Sequence, residues 1–374
     1  MRNLDEIRAD INEIDSSLIE LFKRRMDCAR EVGLYKKANN LPVLNSGRER
    51  EILDKVQRMS EPYGGFARQL YMDIMELSKA LQYGLIGSGE KLGEIIKTSD
   101  DTLPKSVKVG YMGIEGANAH EAALKLFPEG DTVNYRTFGD VFEAVDMGEV
   151  EFGVLPVENS TAGSVSAVYD LILKHRFYIV GALDMKIDYC LCSIRQSEFS
   201  DIERVITHPQ SISQCEKYII SHGFEATPCA NTAVAARDVA REKRLNLAAI
   251  CSYKACEEYG LKILDDHIQD IDSNTTRFIV ISKKLYIPEN ADKISLCFNL
   301  PHVSGSLYSV LCRFNSLGLN LTKIESRPIA GDGFEYLFYL DFTGNIRNPE
   351  ALGLICSLSD EMEGFSFLGN YNEI

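Results

Sequence analysis

The sequence has no apolar run of the length that a signal peptide or a membrane-spanning helix needs, and it opens on a charged, amphipathic segment. That argues against membrane insertion and sets the expectation of a cytoplasmic protein. A C-x-x-C pair is also missing: ten cysteines are scattered, the nearest approach being Cys190-x-Cys192. On the expectation that these two thiols point to opposite sides of a strand, they do not share a metal, and buried free thiols are expected instead. Positive charge is in short supply too. Lys and Arg number 40 against 55 Asp and Glu, a formal net charge of -15, and no basic block offsets it. This argues against nucleic acid and anionic membrane as partners, but a small anionic ligand stays possible because a cleft can be locally positive. At 374 residues the chain has length for two or three domains, each with its own core.

Leu4, Ile7, Ile11, Ile14, Leu18 and Leu21 follow a 3-4-3-4-3 spacing, the apolar seam of a long helix. Continued, the seam reaches Arg25, Cys28, Val32 and Tyr35, so Arg25 points where a Leu is expected, with Arg8 and Lys36 on its flank. A second helix is expected from about Arg48, and a third over 66–83 with Leu70, Ile74, Leu77 and Leu81 as its stripe and Ser78 and Gln82 beside it. Cations beside an apolar bundle suit an internal site for a dianion. Arg25 and Lys36 are about 16 Å apart along a helix, a gap that two long side chains can close around a small molecule. Arg8 lies about 25 Å from Arg25, so it can take part only from an antiparallel second copy. A homodimer follows, with a tetramer left open.

The run Arg24-Arg25…Glu31-Val32-Gly33…Lys36…Pro42-Val43…Arg48-Glu49-Arg50 resembles the all-helical chorismate mutase domain, over residues 1–88. The resemblance implies that Arg25 and the partner subunit's Arg8 hold the two carboxylates of chorismate. Lys36 and Gln82 would flank its ether oxygen, with Arg48, Glu49 and Ser78 completing the pocket. Asn45 departs from the acid that the family often has there.

Residues 84–105 read mainly as a linker, with a helical turn at 92–96, and the linker proper is set at 89–105. Beyond it, strands at 107–111, 152–157, 204–207, 247–251 and 277–282 alternate with helices at 119–127, 165–175, 212–221 and 233–242, the pattern of a largely parallel α/β sheet. Gly110, Gly113 and Gly116 have G-x-x-G-x-x-G spacing, which departs from the dinucleotide fingerprint and suits a tight strand-to-helix turn. Strand ends followed by Asn, Ser or Thr recur at Pro156-Val157-Glu158-Asn159-Ser160-Thr161, Thr207-His208-Pro209-Gln210-Ser211, Asn231-Thr232 and Cys251-Ser252. Each suits an N-cap; together they would aim helix N-termini and hydroxyls at one crevice. The polar stretch Asn274-Thr275-Thr276-Arg277 then leads into the apolar run Phe278-Ile279-Val280-Ile281.

Those stretches, with Val109-Gly110-Tyr111-Met112-Gly113-Ile114-Glu115-Gly116-Ala117-Asn118-Ala119-His120, His208-Pro209-Gln210…Gln214-Cys215 and Thr275-Thr276-Arg277-Phe278, resemble prephenate dehydratase over 106–286. The resemblance implies two α/β lobes around a cleft, similar to periplasmic-type binding proteins. It implies Thr276 as the hydroxyl nearest the departing hydroxyl of prephenate and Arg277 as an anion partner. Asn159, Ser160, Thr207, Gln214 and Thr232 would line the cleft. Thr276 is too weak an acid to ionise, so it reads as a hydrogen-bond donor or proton relay. His208 is the alternative acid, though its place before Pro209 suits a turn equally well.

In 292–374, strands at 294–300, 319–324, 334–342 and 365–368 and helices at 305–317 and 350–362 give a β-α-β-β-α-β order, a ferredoxin-like α+β unit. Gly305-Ser306-Leu307 and Glu325-Ser326-Arg327-Pro328 resemble the motifs of an ACT regulatory domain, which implies a phenylalanine site between paired domains and feedback inhibition. No metal or organic cofactor is expected. Two other classes stay open: a solute-binding or ligand-sensing protein, and a dehydratase whose helical segment is only a dimerisation arm.

Overall fold

The computed structural model describes residues 2–86, 90–328 and 336–374. They form two compact units, Met1–Thr98 with Lys293–Phe367, and Ser99–Asp292 with Leu368–Ile374. The first unit begins with α1 (Leu4–Asn39), α2 (Ser46–Met59), α3 (Gly64–Ile86) and α4 (Glu90–Lys97). A reciprocal Asn3–Glu6 capping box starts α1, and Asn40 in the left-handed region ends it. Asn45, the position that departs from the family pattern, caps α2 by accepting from the Arg48 amide at 3.0 Å. The expected linker is more helical than its composition implied, with α3 reaching Ile86 and α4 covering the turn at 92–96. The expected boundary at 88–89 lies outside the described residues.

Along α1 only Ala29 and Gly33 are buried. Gly33 is a close-approach position, since a Cβ there would meet Gln82 Cγ at 3.1 Å and Leu85 Cδ1 at 3.2 Å. The seam itself is bare, with Leu4 60% and Ile14 58% exposed. The expected stripe of α3 is not its buried face either. Leu70 is exposed, whereas Glu76, Ser78, Lys79 and Gln82 are buried. The polar side of α3 is the one that α1, α2 and the C-terminal helices cover.

The second unit holds two sheets. One contains β1 (Lys108–Met112), β2 (Asp131–Tyr135), β3 (Phe152–Asn159), β4 (Gly163–Ser164), β5 (Tyr178–Lys186) and β11 (Thr275–Ser282), in the order β2-β1-β3-β11-β5 with β4 on β3. The other contains β6 (Cys190–Ser193), β7 (Arg204–Thr207), β8 (Glu225–Pro228), β9 (Leu247–Cys251) and β10 (Lys262–Asp265), in the order β10-β6-β9-β7-β8. Helices α5 (Asn118–Leu126), α6 (Phe138–Met147), α7 (Ser166–His175), α8 (Pro209–Gln214), α9 (Glu216–His222), α10 (Thr232–Glu242) and α11 (Tyr253–Glu258) follow the strands. The chain crosses between sheets twice, from β5 to β6 and from β10 to β11.

The expectation of largely parallel sheets is corrected. β1 is parallel to β2 and β3, and β7 to β8 and β9. β11 is antiparallel to β3 and β5, and β6 to β9 and β10. β6 and β11 each enter a sheet straight from the other one, so they run against strands laid down by strand–helix–strand steps. Residues 372–374 lie along β5, where the Ala182 amide donates to Asn372 O at 3.0 Å and the Asp184 amide to Ile374 O at 3.1 Å.

The C-terminal part has β12 (Lys293–Leu300), α12 (Ser306–Ser316), β13 (Leu321–Pro328), β14 (Tyr336–Thr343), α13 (Pro349–Glu361) and β15 (Ser366–Tyr371), in the sheet order β13-β14-β12-β15. This is the expected β-α-β-β-α-β order; positions 334–335 of the expected third strand lie outside the described residues. No helix among the described residues is long and apolar enough to cross a membrane.

Candidate active sites

In the second unit, the start of β11 forms one wall of a cavity of about 270 Å³, where Thr276, Asn159 and Thr232 meet Gln210, Tyr189 and Asn231. β3 pairs Asn159 with Thr276 across the strands. Asn159 Nδ2 donates to Thr276 Oγ1 at 2.9 Å and to Asn274 Oδ1 at 2.8 Å. Its Oδ1 accepts from Thr161 Oγ1 at 2.7 Å and from the amides of Thr161 and Ala162 at 3.1 and 3.0 Å. Donors on one side and acceptors on the other leave the carboxamide one orientation. Thr276 Oγ1 therefore accepts from Asn159, and its own proton is free to be donated into the cavity. Buried Asn274 continues the network to Gln214 Oε1 at 3.2 Å, which also accepts from the Tyr189 hydroxyl at 3.0 Å.

Among the described residues lining this cavity there is no Asp, Glu, Lys, Arg, His or Cys. Favourable potential for an anion comes from backbone. The N-termini of α5, at Ala117, Asn118 and Ala119, and of α10, at Asn231 and Thr232, both reach the lining. α5 has no side-chain cap, so its first amides stay available.

Several expected lining residues are placed elsewhere. Thr207 is fully buried and donates to Ile250 O at 2.7 Å, tying β7 to β9. Ser160 is outside the lining; its hydroxyl donates to Ser273 O at 2.9 Å and accepts from the Thr275 amide at 3.0 Å, clamping the entry to β11. Gln214 stands behind Asn274 rather than on the wall, its Nε2 donating to Thr161 Oγ1 at 2.6 Å. Arg277 is corrected most sharply. Strand alternation turns it away from Thr276. It forks onto Asp184 with two bonds of 2.8 Å, approaches Glu158 at 3.7 Å and pairs with Glu373. Three carboxylates already occupy this guanidinium. Of the four strand-end junctions, Asn231 and Gln210 reach the cavity, Ser252 caps α11, and Pro156–Thr161 is followed by β4 instead of a helix. His208 caps α8 through Nδ1, accepting from the Gln210 amide at 3.2 Å, and burial lowers its pKa, so it serves the turn. At Gly116, φ is +81° and a Cβ would sit 2.9 Å from Ala255 Cα, which accounts for that glycine as a tight turn.

Cys190 and Cys192 are buried free thiols as expected, but the premise that they face opposite ways is overturned. Residues i and i+2 of a strand share a face. The sulfurs of Cys190, Cys192 and Cys256 lie within 4.8 Å of one another, and Cys192 Sγ is 3.1 Å from Cys251 Sγ. The thiols are packed among Ala233, Ala236, Val239 and Leu247.

The first unit brings four expected residues together between α1 and α3. Arg25 Nη1 donates to Ser78 Oγ at 2.6 Å, and Lys36 Nζ donates to Gln82 Oε1 at 3.1 Å and to Val43 O at 2.6 Å. Ser78 and Gln82 are one turn apart, and Gln82 Nε2 donates to Ser78 O at 3.1 Å. Burial lowers the Lys36 pKa, and the Glu49 carboxylate opposes that shift. Arg8 is exposed with Asp5 at 3.8 Å, and exposed Arg48 pairs with Glu51 at 3.2 Å; among the described residues neither joins the group within one chain. At the C-terminal sheet, β14 places Tyr336 opposite both Leu300 and Pro328. The loop leading from Leu300 to Gly305, Ser306 and Leu307 therefore leaves the sheet at the end where Glu325, Ser326, Arg327 and Pro328 run out, and β13 is an edge strand. Gly305 has φ +88° at the start of α12.

Residues 7–83 match the family model for chorismate mutase type II, and residues 109–285 the model for prephenate dehydratase. The chain is 32% identical to the bifunctional chorismate mutase/prephenate dehydratase of Aquifex aeolicus, over 99% of this chain and 98% of that one. The chain belongs to the bifunctional chorismate mutase/prephenate dehydratases. Among solved structures, the prephenate dehydratase of Arthrobacter aurescens in complex with L-Phe is similar at 29% identity and TM-score 0.65, covering 71% of this chain and 89% of that one. A chain described as GqqA, a novel type of quorum quenching acylase, is similar at 30% identity and TM-score 0.66, covering 71% and 98%.

In the dehydratase region, sequence reading passed over Tyr189 and gave Asn274 no role. In the mutase region it passed over Glu76 and Lys79, and in the C-terminal part Arg313, all three buried and ion-paired. An acid and two cations on helix faces read as solvated surface, and nothing local signals that another element covers them.

Proposed function

We propose that this enzyme of phenylalanine biosynthesis works through three functional parts, a mutase site in 1–88, a dehydratase site in 106–286 and a phenylalanine sensor in 292–374, acting in the cytoplasm as a homodimer. The observation that carries the reading is likeness to a bifunctional enzyme over 99% of the chain. Chorismate rearranges to prephenate in one concerted step, in which the ether C–O bond breaks as a C–C bond forms. No nucleophile is needed, only a clamp on the chair-like conformer and a donor to the ether oxygen. Arg25 and the partner subunit's Arg8 take the two carboxylates; protonated Lys36 and Gln82 take the ether oxygen; Glu49, Arg48 and Ser78 complete the pocket. The bare seam of α1 supports the second copy, since a dimer would cover it.

Prephenate then loses carbon dioxide and its ring hydroxyl as the ring becomes aromatic, giving phenylpyruvate. Thr276 donates its free proton toward the departing hydroxyl, while Asn159 fixes the Thr276 oxygen. The neutral lining supports decarboxylation by keeping countercharge off the carboxylate that leaves. An acylase reading, raised by the GqqA likeness, would need Thr276 activated by a base; Asn159 meets its hydroxyl with a donating amide, and no described lining residue is an ordinary base.

The deciding experiment gives the purified protein chorismate and prephenate separately. Both are expected to turn over, the first to prephenate and onward to phenylpyruvate; turnover of prephenate alone would leave α1 as a dimerisation arm. Phenylalanine is expected to bind near Gly305, Ser306 and Leu307 against Glu325–Pro328 of a second domain and to favour a less active arrangement. Calorimetry of the full chain is expected to register that binding; no heat and no inhibition would remove the sensor role.

A further inference from the structure

Five charged side chains, of which Arg313, Glu76 and Lys79 are buried, run in a line from the C-terminal sheet-and-helix part to the mutase site. Arg313 on α12 forks onto Glu361 of α13 at 2.7 and 2.9 Å and donates from Nε to Glu76 Oε2 on α3 at 2.9 Å. The other oxygen of Glu76, Oε1, is 2.7 Å from Lys79 Nζ, and Lys79 Nζ is 3.5 Å from Glu49 Oε1 on α2. Arg313 is 2% exposed and Lys79 8%, so this is not a solvated surface pairing. Buried ions of this kind are sensitive to the loss of any one partner, because the remaining charge must find another. Glu49 stands at the end of the line and acts on the charge of Lys36.

We propose that Arg313, outside the mutase helices in sequence, is a positioning residue of the mutase site: by holding one oxygen of Glu76 it leaves Lys79 able to hold Glu49 beside Lys36. The inference rests on the mutase reading above. With Arg313 neutralised, Glu76 draws Lys79 fully to itself, Glu49 loses its countercharge, and its field at Lys36 strengthens. With Glu76 neutralised, Lys79 turns to Glu49, and that field weakens. The groups facing Lys36 are Glu49 from α2, Gln82 from α3 and the Val43 carbonyl from the intervening loop, with Arg25 three turns back on α1. Around the line itself stand Tyr83, Asp360 and Asp73, the last accepting from the Tyr308 hydroxyl at 2.9 Å.

The test is the alkaline limb of mutase kcat/KM against pH in the full chain, since Lys36 must be protonated to serve the ether oxygen. In Arg313→Gln the limb is expected to move up by about half a pH unit, with kcat/KM at neutral pH down about tenfold. In Glu76→Gln the limb is expected to move down by a similar amount. Circular dichroism reports that each variant is folded, and prephenate turnover is expected to be unchanged. A merely structural role would move both variants the same way or neither, and either result overturns the proposal. If Arg313→Gln does not fold, the isosteric Glu76→Gln decides alone: a downward shift supports the line, an unmoved or raised limb overturns it. Mutase activity in the wild type establishes the underlying reading separately, so an unmoved limb in an active enzyme counts against the relay only.

Discussion

Replacing Arg25 with alanine is expected to lower chorismate turnover about a thousandfold while prephenate turnover stays within about a factor of two. Arg25 is held in place by its 2.6 Å bond to Ser78, on the face of α3 that also carries Gln82, the partner of Lys36. Its guanidinium offers a pre-set fork to a carboxylate, which a methyl group cannot replace. On the proposed mutase reading, removing it leaves one carboxylate of a dianion without a partner in a half-buried groove. Helix content should be preserved, because Arg25 is only partly buried and α1 is capped at both ends. Circular dichroism and the two assays on one preparation check this; mutase turnover near the wild-type value would remove Arg25 from the site. The same variant tests the dimer. Arg8→Ala chains and Arg25→Ala chains are each expected to be nearly inactive as mutases. Mixed equally, about half of the dimers are mixed and each has one intact site, so recovery to about a quarter of wild-type activity is expected. No recovery after confirmed exchange would place each site within one chain.

Replacing Thr276 with alanine is expected to lower prephenate kcat by about 100- to 1,000-fold with KM changed less than about threefold. The argument is the orientation of Asn159. Because its amide nitrogen already donates to Thr276 Oγ1, the hydroxyl proton is left available to the cavity that Thr276 lines. That donor matters most when negative charge develops on the departing oxygen, so its loss should fall on kcat. Thr276→Ser keeps the hydroxyl and should retain most of the rate. Near-normal kcat in the alanine variant would return the role of acid to another group.

Elements with a strong period were legible in the sequence: β7 and β9 have the expected bounds, and α10 begins one residue early. β2 and β8 were not, because Asp131–Tyr135 and Glu225–Pro228 are partly exposed strands at sheet edges with little apolar signal. The helix expected over 212–221 is broken at Cys215, whose φ of -122° is not helical, and nothing in the side chain announces that. In the dehydratase cleft, residue type pointed to Thr276, Asn159 and Thr232, yet it could not say which face of a strand looks inward. Thr207 and Arg277 have the chemistry of a binding site, and their hydrogen bonds are consumed in holding strands together. The mutase group was legible because a cation on an apolar seam is a conflict visible in one dimension. Its extension through Lys79, Glu76 and Arg313 needed the C-terminal helices to be in place.

The short segment 372–374 laid along β5 has a practical implication. It occupies backbone groups of β5, and Glu373 completes the ring of acids around Arg277, one residue from Thr276 on the same strand. Deleting residues 372–374 would bare a strand edge prone to sticking and loosen the neighbour of Thr276. A shortened version of the protein should therefore keep these three residues.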